Sequence, residues 1–110
     1  MFSADLKRGS MELLILAVLE RGTRHGYDIG KALERRSGGK LELGASTLYS
    51  ALYRMEDRGL IRGRWVEREG ERRRCLYRLT QDGQAALEAQ RREWRAFARV
   101  VEEIISPSPA

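Results

Sequence analysis

Residues 43–61 read LGASTLYSALYRMEDRGLI, and the spacing within them decides the fold. On a helix turning about 100° per residue, Leu52 and Met55 fall within about 40° of Leu48, with Ala51 beside them. That is an apolar stripe for a core. The opposite side carries Ser46, Ser50, Tyr53, Arg54 and Asp57, all able to hydrogen-bond and none forming the usual Glu/Lys surface pair. A short helix with a firm apolar back and a hydroxyl-rich front suits entry into a groove. Gly59 follows as a C-cap, because glycine takes the left-handed conformation freely. Leu60 and Ile61 then open an extended segment. An ordinary amphipathic helix with a small polar face is the plain alternative, and the residues that follow decide against it.

Those residues hold the charge. Between Arg58 and Arg78 stand eight arginines (58, 62, 64, 68, 72, 73, 74, 78) and three glutamates (67, 69, 71). The chain's formal charge is +5, so this segment carries the whole excess and the rest is neutral. A local basic excess points to nucleic acid or another acidic surface. Arginine alone supplies it, and the planar guanidinium fork suits phosphate. Two strands are predicted here, at 62–68 and 74–79. In the second, Cys75, Tyr77 and Leu79 share one side, and Leu76 and Arg78 the other. Glu69-Gly70-Glu71-Arg72 forms the hairpin tip, with glycine where positive φ is needed. Three helices followed by an Arg-rich hairpin is the order of a winged helix-turn-helix, with residues 43–61 as recognition helix and the hairpin as wing.

Working outward to the N-terminus, residues 1–9 read as a partly ordered arm with Lys7 and Arg8. Ser10 is expected to cap the first helix, with Glu12 in its first turn. From Met11 to Leu19 nearly every residue is apolar, so this helix is buried on most faces and needs another helix or another protomer to cover it. Gly22 ends it. A second helix is predicted over about 25–37, with Tyr27, Ile29, Ala32 and Leu33 inward. His25 has no second His or Cys partner and reads as structural or capping. Residues 40–43 alternate and suggest a small strand, and Gly44 then caps the third helix.

Thr80 is expected to cap a last helix from about 81 to 105. Leu87, Gln90, Trp94, Phe97, Val101 and Ile104 fall at successive a and d positions, a heptad seam with one polar layer at Gln90. A helix of that length with one apolar face calls for a partner helix, most economically from a second copy. Leu14 and Val18 of the first helix are expected to share the interface. The tail Ser106-Pro107-Ser108-Pro109-Ala110 cannot continue the helix and should fray. The expected division is 1–80 for the winged-helix domain and 81–110 for the dimerisation helix and tail. Neither a repeat nor an interdomain linker stands out.

The same sequence excludes other classes. One cysteine, Cys75, allows no intramolecular disulfide, in keeping with a reducing compartment, and reads as a small core residue. The apolar run at 13–19 is too short to span a bilayer, and no signal peptide is visible, so a soluble cytoplasmic protein is expected. One His, one Cys, no metal-ligand cluster and no phosphate-cradling glycine motif leave no basis for an enzyme. No aromatic stacking platform on a sheet favours RNA. A winged-helix module that binds protein without sequence-specific DNA binding of its own is the competing reading.

MELLILAVL, HGYDI at 25–29, STLYSALYRMEDRGLI at 46–61 and RRRCLYRLTQDG at 72–83 together resemble the PadR family of bacterial transcriptional regulators, in its short form with a single C-terminal helix. The resemblance implies a winged helix plus a dimerisation helix that packs with the partner's first helix. It implies sequence-specific DNA binding, usually repression, often relieved by a small phenolic or drug-like ligand. Family members often have Pro-Gly before the hydroxyl residue opening the third helix, where this chain has Ala45-Ser46, and Pro after the LY pair, where it has Ser50. Thr47 and Tyr49 are thus supported as positions at the DNA, with base preference open. The expected DNA-facing set is Ser46, Ser50, Tyr53 and Arg54 in the major groove, Thr47 and Tyr49 flanking, Arg68, Arg72, Arg73 and Arg74 on the wing, and Tyr27 as a further phosphate contact. Two recognition helices on a two-fold dimer would read an inverted repeat. Trp94 and Gln90 are the candidate place for a planar aromatic effector, the plain alternative being that Trp94 is only buried area in the seam. No cofactor is expected.

Overall fold

In the computed structural model, which describes residues 2–107, the elements run α1 (Ala4–Glu20), β1 (Arg24–His25), α2 (Gly26–Arg36), α3 (Ala45–Asp57), β2 (Ile61–Val66), β3 (Arg74–Leu79) and α4 (Gln81–Ile105). Of the tail expected to fray, Ser108, Pro109 and Ala110 lie outside the described residues, as does Met1.

α1 begins well before Ser10. Ser3 is the N-cap, its Oγ accepting from the Leu6 amide at 3.3 Å, and Asp5 sits in the first turn. The expectation of an arm over residues 1–9 is therefore wrong: Ser3 and Asp5 were the start signal. Ser10 lies inside the helix and its Oγ donates to the Leu6 carbonyl at 2.9 Å. A serine bonded back to its own helix is not free to cap one. Ile15, Leu16, Val18 and Leu19 are buried, against α2, α3, α4 and β3. The chain's own elements thus cover this stretch of α1.

The sheet is antiparallel in the order β1-β3-β2. Trp65 stands opposite Cys75, Gly63 opposite Tyr77 and Ile61 opposite Leu79. Tyr77 is buried, and Cys75 and Leu79 pack against the core, as the alternation required. The strand expected at 40–43 does not form. The backbone there is irregular, with the Leu41 amide donating to Ser37 Oγ at 2.8 Å. The third strand is instead Arg24–His25, two residues too short to show any period.

α3 is capped at its C-terminus by a Schellman turn. Gly59 has φ 77°, its amide donates to the Glu56 carbonyl, and the Leu60 amide donates to the Met55 carbonyl at 3.0 Å. Thr80 joins that turn to α4. Its Oγ1 donates to the Gly59 carbonyl at 2.6 Å and accepts from the Gly83 amide at 3.0 Å. The end of α3 and the start of α4 are one hydrogen-bonded junction.

α4 is 25 residues long, about 37 Å at 1.5 Å per residue. Its first half packs on α1. Arg91 reaches Glu20 at 2.7 Å, Gln84 donates to the same carboxylate, and Gln90 donates to Glu12. Its second half runs on past α1.

Candidate nucleic-acid interface

The apolar back of α3 is seated in the core: Leu48, Ala51, Leu52 and Met55 are all buried. That orientation forces the other face outward, and Ser46, Thr47, Ser50, Tyr53 and Arg54 are exposed. Tyr49 differs from its neighbours in being half-buried. It lies under the start of α2, where a Cβ on Gly26 would come within 2.7 Å of its ring. Glycine at 26 is therefore what lets the two helix starts approach. It explains the HGYD stretch better than any role for His25, which serves as N-cap residue of α2 without a side-chain cap bond.

Tyr27, Tyr49, Tyr53, Trp65, Arg72 and Arg73 line one open groove of about 630 Å³ between the start of α2, α3 and the hairpin. The Tyr49 and Tyr53 rings lie 6.5 Å apart, and the Lys31 ammonium sits 5.4 Å over the Tyr27 ring. Of the sequence-predicted set, the structure gathers Tyr27, Tyr49, Tyr53, Arg72, Arg73 and Arg74 along this groove, and Ser46, Thr47, Ser50 and Arg54 lie outside its lining. Arg68 lies round the hairpin, lining a smaller hollow with Arg72, Arg74 and His25.

Trp65 was not foreseen. It is 57% exposed, and Arg73 stacks over its ring at 4.8 Å while forming an ion pair with Glu67 at 3.0 Å. An exposed Trp one strand away from three successive arginines was the available signal. The consequence is that Arg73 is already held. A phosphate would have to displace Glu67 from it, whereas Arg68, Arg72 and Arg74 have no ion pair among the described residues. Tyr77 closes the groove floor, and burial, with a hydrogen bond to Cys75 adding to it, pushes its phenol above the ordinary tyrosine range.

Residues 15–89 match the transcriptional regulator PadR-like family. The chain belongs to that family. It is 30% identical to a solved transcriptional regulator from Clostridium thermocellum, covering 96% of this chain and 100% of that one, with a TM-score of 0.87. It is 31% identical over 106 residues to the transcriptional regulator YqjI of Escherichia coli, covering 92% of this chain but spanning about half (49%) of that protein. The structure of Bacillus subtilis PadR in complex with operator DNA superposes with a TM-score of 0.66 at 24% identity, over 91% of this chain and 49% of that one, and shares the fold. The PadR membership makes this chain a transcriptional regulator rather than an enzyme, on a winged-helix fold.

The residues expected at a dimer seam divide in two. Val18 and Leu87 are 1% and 0% exposed within the single chain, so they have no surface to offer a partner. Leu14 is partly buried against the core. Gln90 is half-buried and donates to Glu12 of its own α1. The heptad pattern starts as an intrachain contact. Beyond it Trp94, Phe97 and Ile104 are exposed at 52%, 67% and 76%, with Val101 half-buried. No helix among the described residues is long and apolar enough to cross a membrane.

Proposed function

We propose that this chain is a cytoplasmic homodimeric repressor that reads an inverted-repeat operator and is released by a small aromatic effector. The observation that carries the DNA reading is the outward face of α3, hydroxyl-rich and carrying Arg54, standing beside an arginine wing. Ser46, Ser50, Tyr53 and Arg54 take the major groove. Arg68, Arg72 and Arg74 take phosphates or the minor groove, with Arg73 presented on Trp65, and Tyr27 and Thr47 flank. Tyr49 contributes from its half-buried place. Bacillus subtilis PadR, whose structure contains operator DNA, supports the same use of the shared fold.

Dimerisation is supported by unpartnered apolar surface. Leu6 on α1 and Trp94, Phe97, Val100, Ile104 and Ile105 on α4 are each at least half exposed. A surface of that kind marks an association site. The proposed interface is the outer half of α4 against the start of the partner's α1, with residues 1–80 as the reading head and 81–110 as the assembly segment. An inverted repeat follows from two-fold symmetry, with recognition helices about 34 Å apart.

For the effector, Phe2, Leu6, Leu13, Leu14, Leu41 and Trp94 line an apolar crevice of about 420 Å³. That is within the usual size of small-molecule sites, about 300–1,000 Å³. Gln90 borders the adjoining hollow. A planar ligand on Trp94 acts as an inducer only if it prefers the spacing that cannot bind DNA, since equal affinity for both shifts nothing.

The test is selection of bound duplexes from a random DNA pool, followed by gel shift with and without added salt. A recovered palindrome bound with steep salt dependence supports the reading. Recovery of no sequence would sink it and favour a protein-binding winged helix.

A further inference from the structure

The face of the sheet turned away from α3 carries charge at Arg62, Arg64 and Arg78 that the proposed interface does not use. Cys75, Tyr77 and Leu79 point to the core, so Arg74, Leu76 and Arg78 point outward. Across the β2–β3 ladder Arg62 stands directly opposite Arg78, and Arg64 opposite Leu76. Residues directly opposite lie on the same face, so Arg62, Arg64, Arg74 and Arg78 form one outer patch. All four are exposed, and none has an ion-pair partner among the described residues. Like charges placed directly opposite in a ladder are destabilising. The fold tolerates an arginine pair there with no ion-pair partner among the described residues.

The patch is continuous with the wing tip. Arg68, Arg72 and Arg74 share a hollow with Val66 and Leu76 on this same face. From there to Arg62 is four residues of strand, roughly 13 Å. The arginines therefore run as a stripe from the tip down the outside of the wing. If α3 occupies a major groove, this outer face looks along the duplex away from it.

We infer that the outer face of the wing sheet, centred on Arg62 and Arg78, is a second polyanion-binding surface that takes the phosphate backbone of duplex DNA flanking the operator. The inference rests on the DNA reading above. Continuity with the tip favours DNA over a separate acidic protein, and a patch whose charges are all arginine suits phosphates through the guanidinium fork. The surface adds affinity and footprint without sequence preference, because backbone contacts carry no base information.

The experiment compares a duplex selected by the protein and trimmed to its protected core with the same duplex lengthened by ten base pairs of arbitrary sequence at each end. The wild-type chain should bind the longer duplex roughly tenfold tighter at low salt, with a salt slope steeper by about 0.9 for each added phosphate contact. Arg62→Gln with Arg78→Gln should bind the core duplex as the wild type does and lose the gain from lengthening. The variant should melt at the same temperature or higher, since it removes the like-charge pair, and this separates lost contact from lost fold. Equal gain in variant and wild type, or no gain in the wild type, overturns the inference. Binding of a polyglutamate peptide that depends on Arg62 and Arg78, without any length effect on DNA, overturns the assignment to DNA. Failure of the wild type to bind even the core duplex would instead strike at the operator reading beneath it.

Discussion

Gly83 lies in the first turn of α4, and helix propensity alone says that Gly83→Ala should stabilise by up to about 1 kcal/mol. The structure reverses the sign. A Cβ on residue 83 would sit 1.9 Å from the Leu60 carbonyl oxygen, a backbone atom that no rotamer change can move. An ordinary contact needs about 3.5 Å, so α4 and the turn after α3 must part by more than about 1 Å. Two bonds cross that junction, Thr80 amide to Leu60 carbonyl at 3.2 Å and Thr80 Oγ1 to Gly59 carbonyl at 2.6 Å, and a third, the cap bond from the Gly83 amide to the same Oγ1 at 3.0 Å, depends on Thr80 staying in place. At about 1 kcal/mol each, their loss outweighs the propensity gain and leaves a net cost of about 2–3 kcal/mol. For a domain of this size that is a drop in Tm of about 10–20 °C. Gly30→Ala is the control. Its Cβ meets only Leu48 Cδ2 at 3.4 Å, so it should be neutral or stabilise by about 0.5–1 kcal/mol. Urea and thermal unfolding at one fixed protein concentration measure both, because assembly would make Tm concentration-dependent. Gly83→Ala as stable as the wild type would refute the reasoning and show that the junction is soft.

Arg54→Ala should weaken operator binding more than random-duplex binding, since a base contact is worth about 1–3 kcal/mol of discrimination; equal loss on both in a gel-shift titration would make Arg54 a phosphate contact. Arg72→Ala should lower the slope of log K against log salt by about 0.9 and leave the selected sequence unchanged, while Arg73→Ala should lower it by less, because Arg73 is already paired with Glu67; the reverse ranking would show that DNA displaces Glu67. Ending the chain before Glu93 should abolish the dimer in sedimentation while α4 keeps its contacts to α1 through Gln90 and Arg91. In a Trp65→Phe chain, fluorescence of Trp94 should be quenched saturably by a phenolic acid or flat cationic dye that also weakens operator binding, and silence across such a panel would leave Trp94 as interface alone. The hydrogen bond from Arg91 holds the Glu20 carboxyl below its ordinary range; a lowered pKa gives stability that is present above about pH 4.5 and fades as pH falls through the lowered value. Glu20→Gln should therefore flatten the acid limb of unfolding below that pH, and an unchanged limb would place the acid sensitivity elsewhere.

Periodic, long-range features were legible in the sequence, and single contacts were not. The stripe of Leu48, Ala51, Leu52 and Met55 fixed which way α3 faces, because burying one side of a short helix leaves no choice about the other. The alternation of Cys75, Tyr77 and Leu79 fixed the wing's inner face for the same reason. β1 escaped because two residues carry no period. The start of α1 escaped because Ser3 and Ser10 are equally good caps until one knows that the residues between them are helical. The seam is the most instructive case. A heptad pattern states that a face is apolar and does not state whose helix covers it. α1 crosses α4 near Leu87 and covers that position from within the chain, and Glu12 takes the Gln90 amide. The same a/d pattern then continues along α4, where Phe97 borders a hollow against the start of α1 and Ile104 is 76% exposed. One pattern thus serves two contacts in series, and the change-over comes near Trp94, which also lines the crevice against α1. A side chain at that change-over is placed to register both how α4 sits on its own domain and, in the proposed dimer, how it meets the partner, which gives a ligand bound there leverage over the spacing of the two recognition helices.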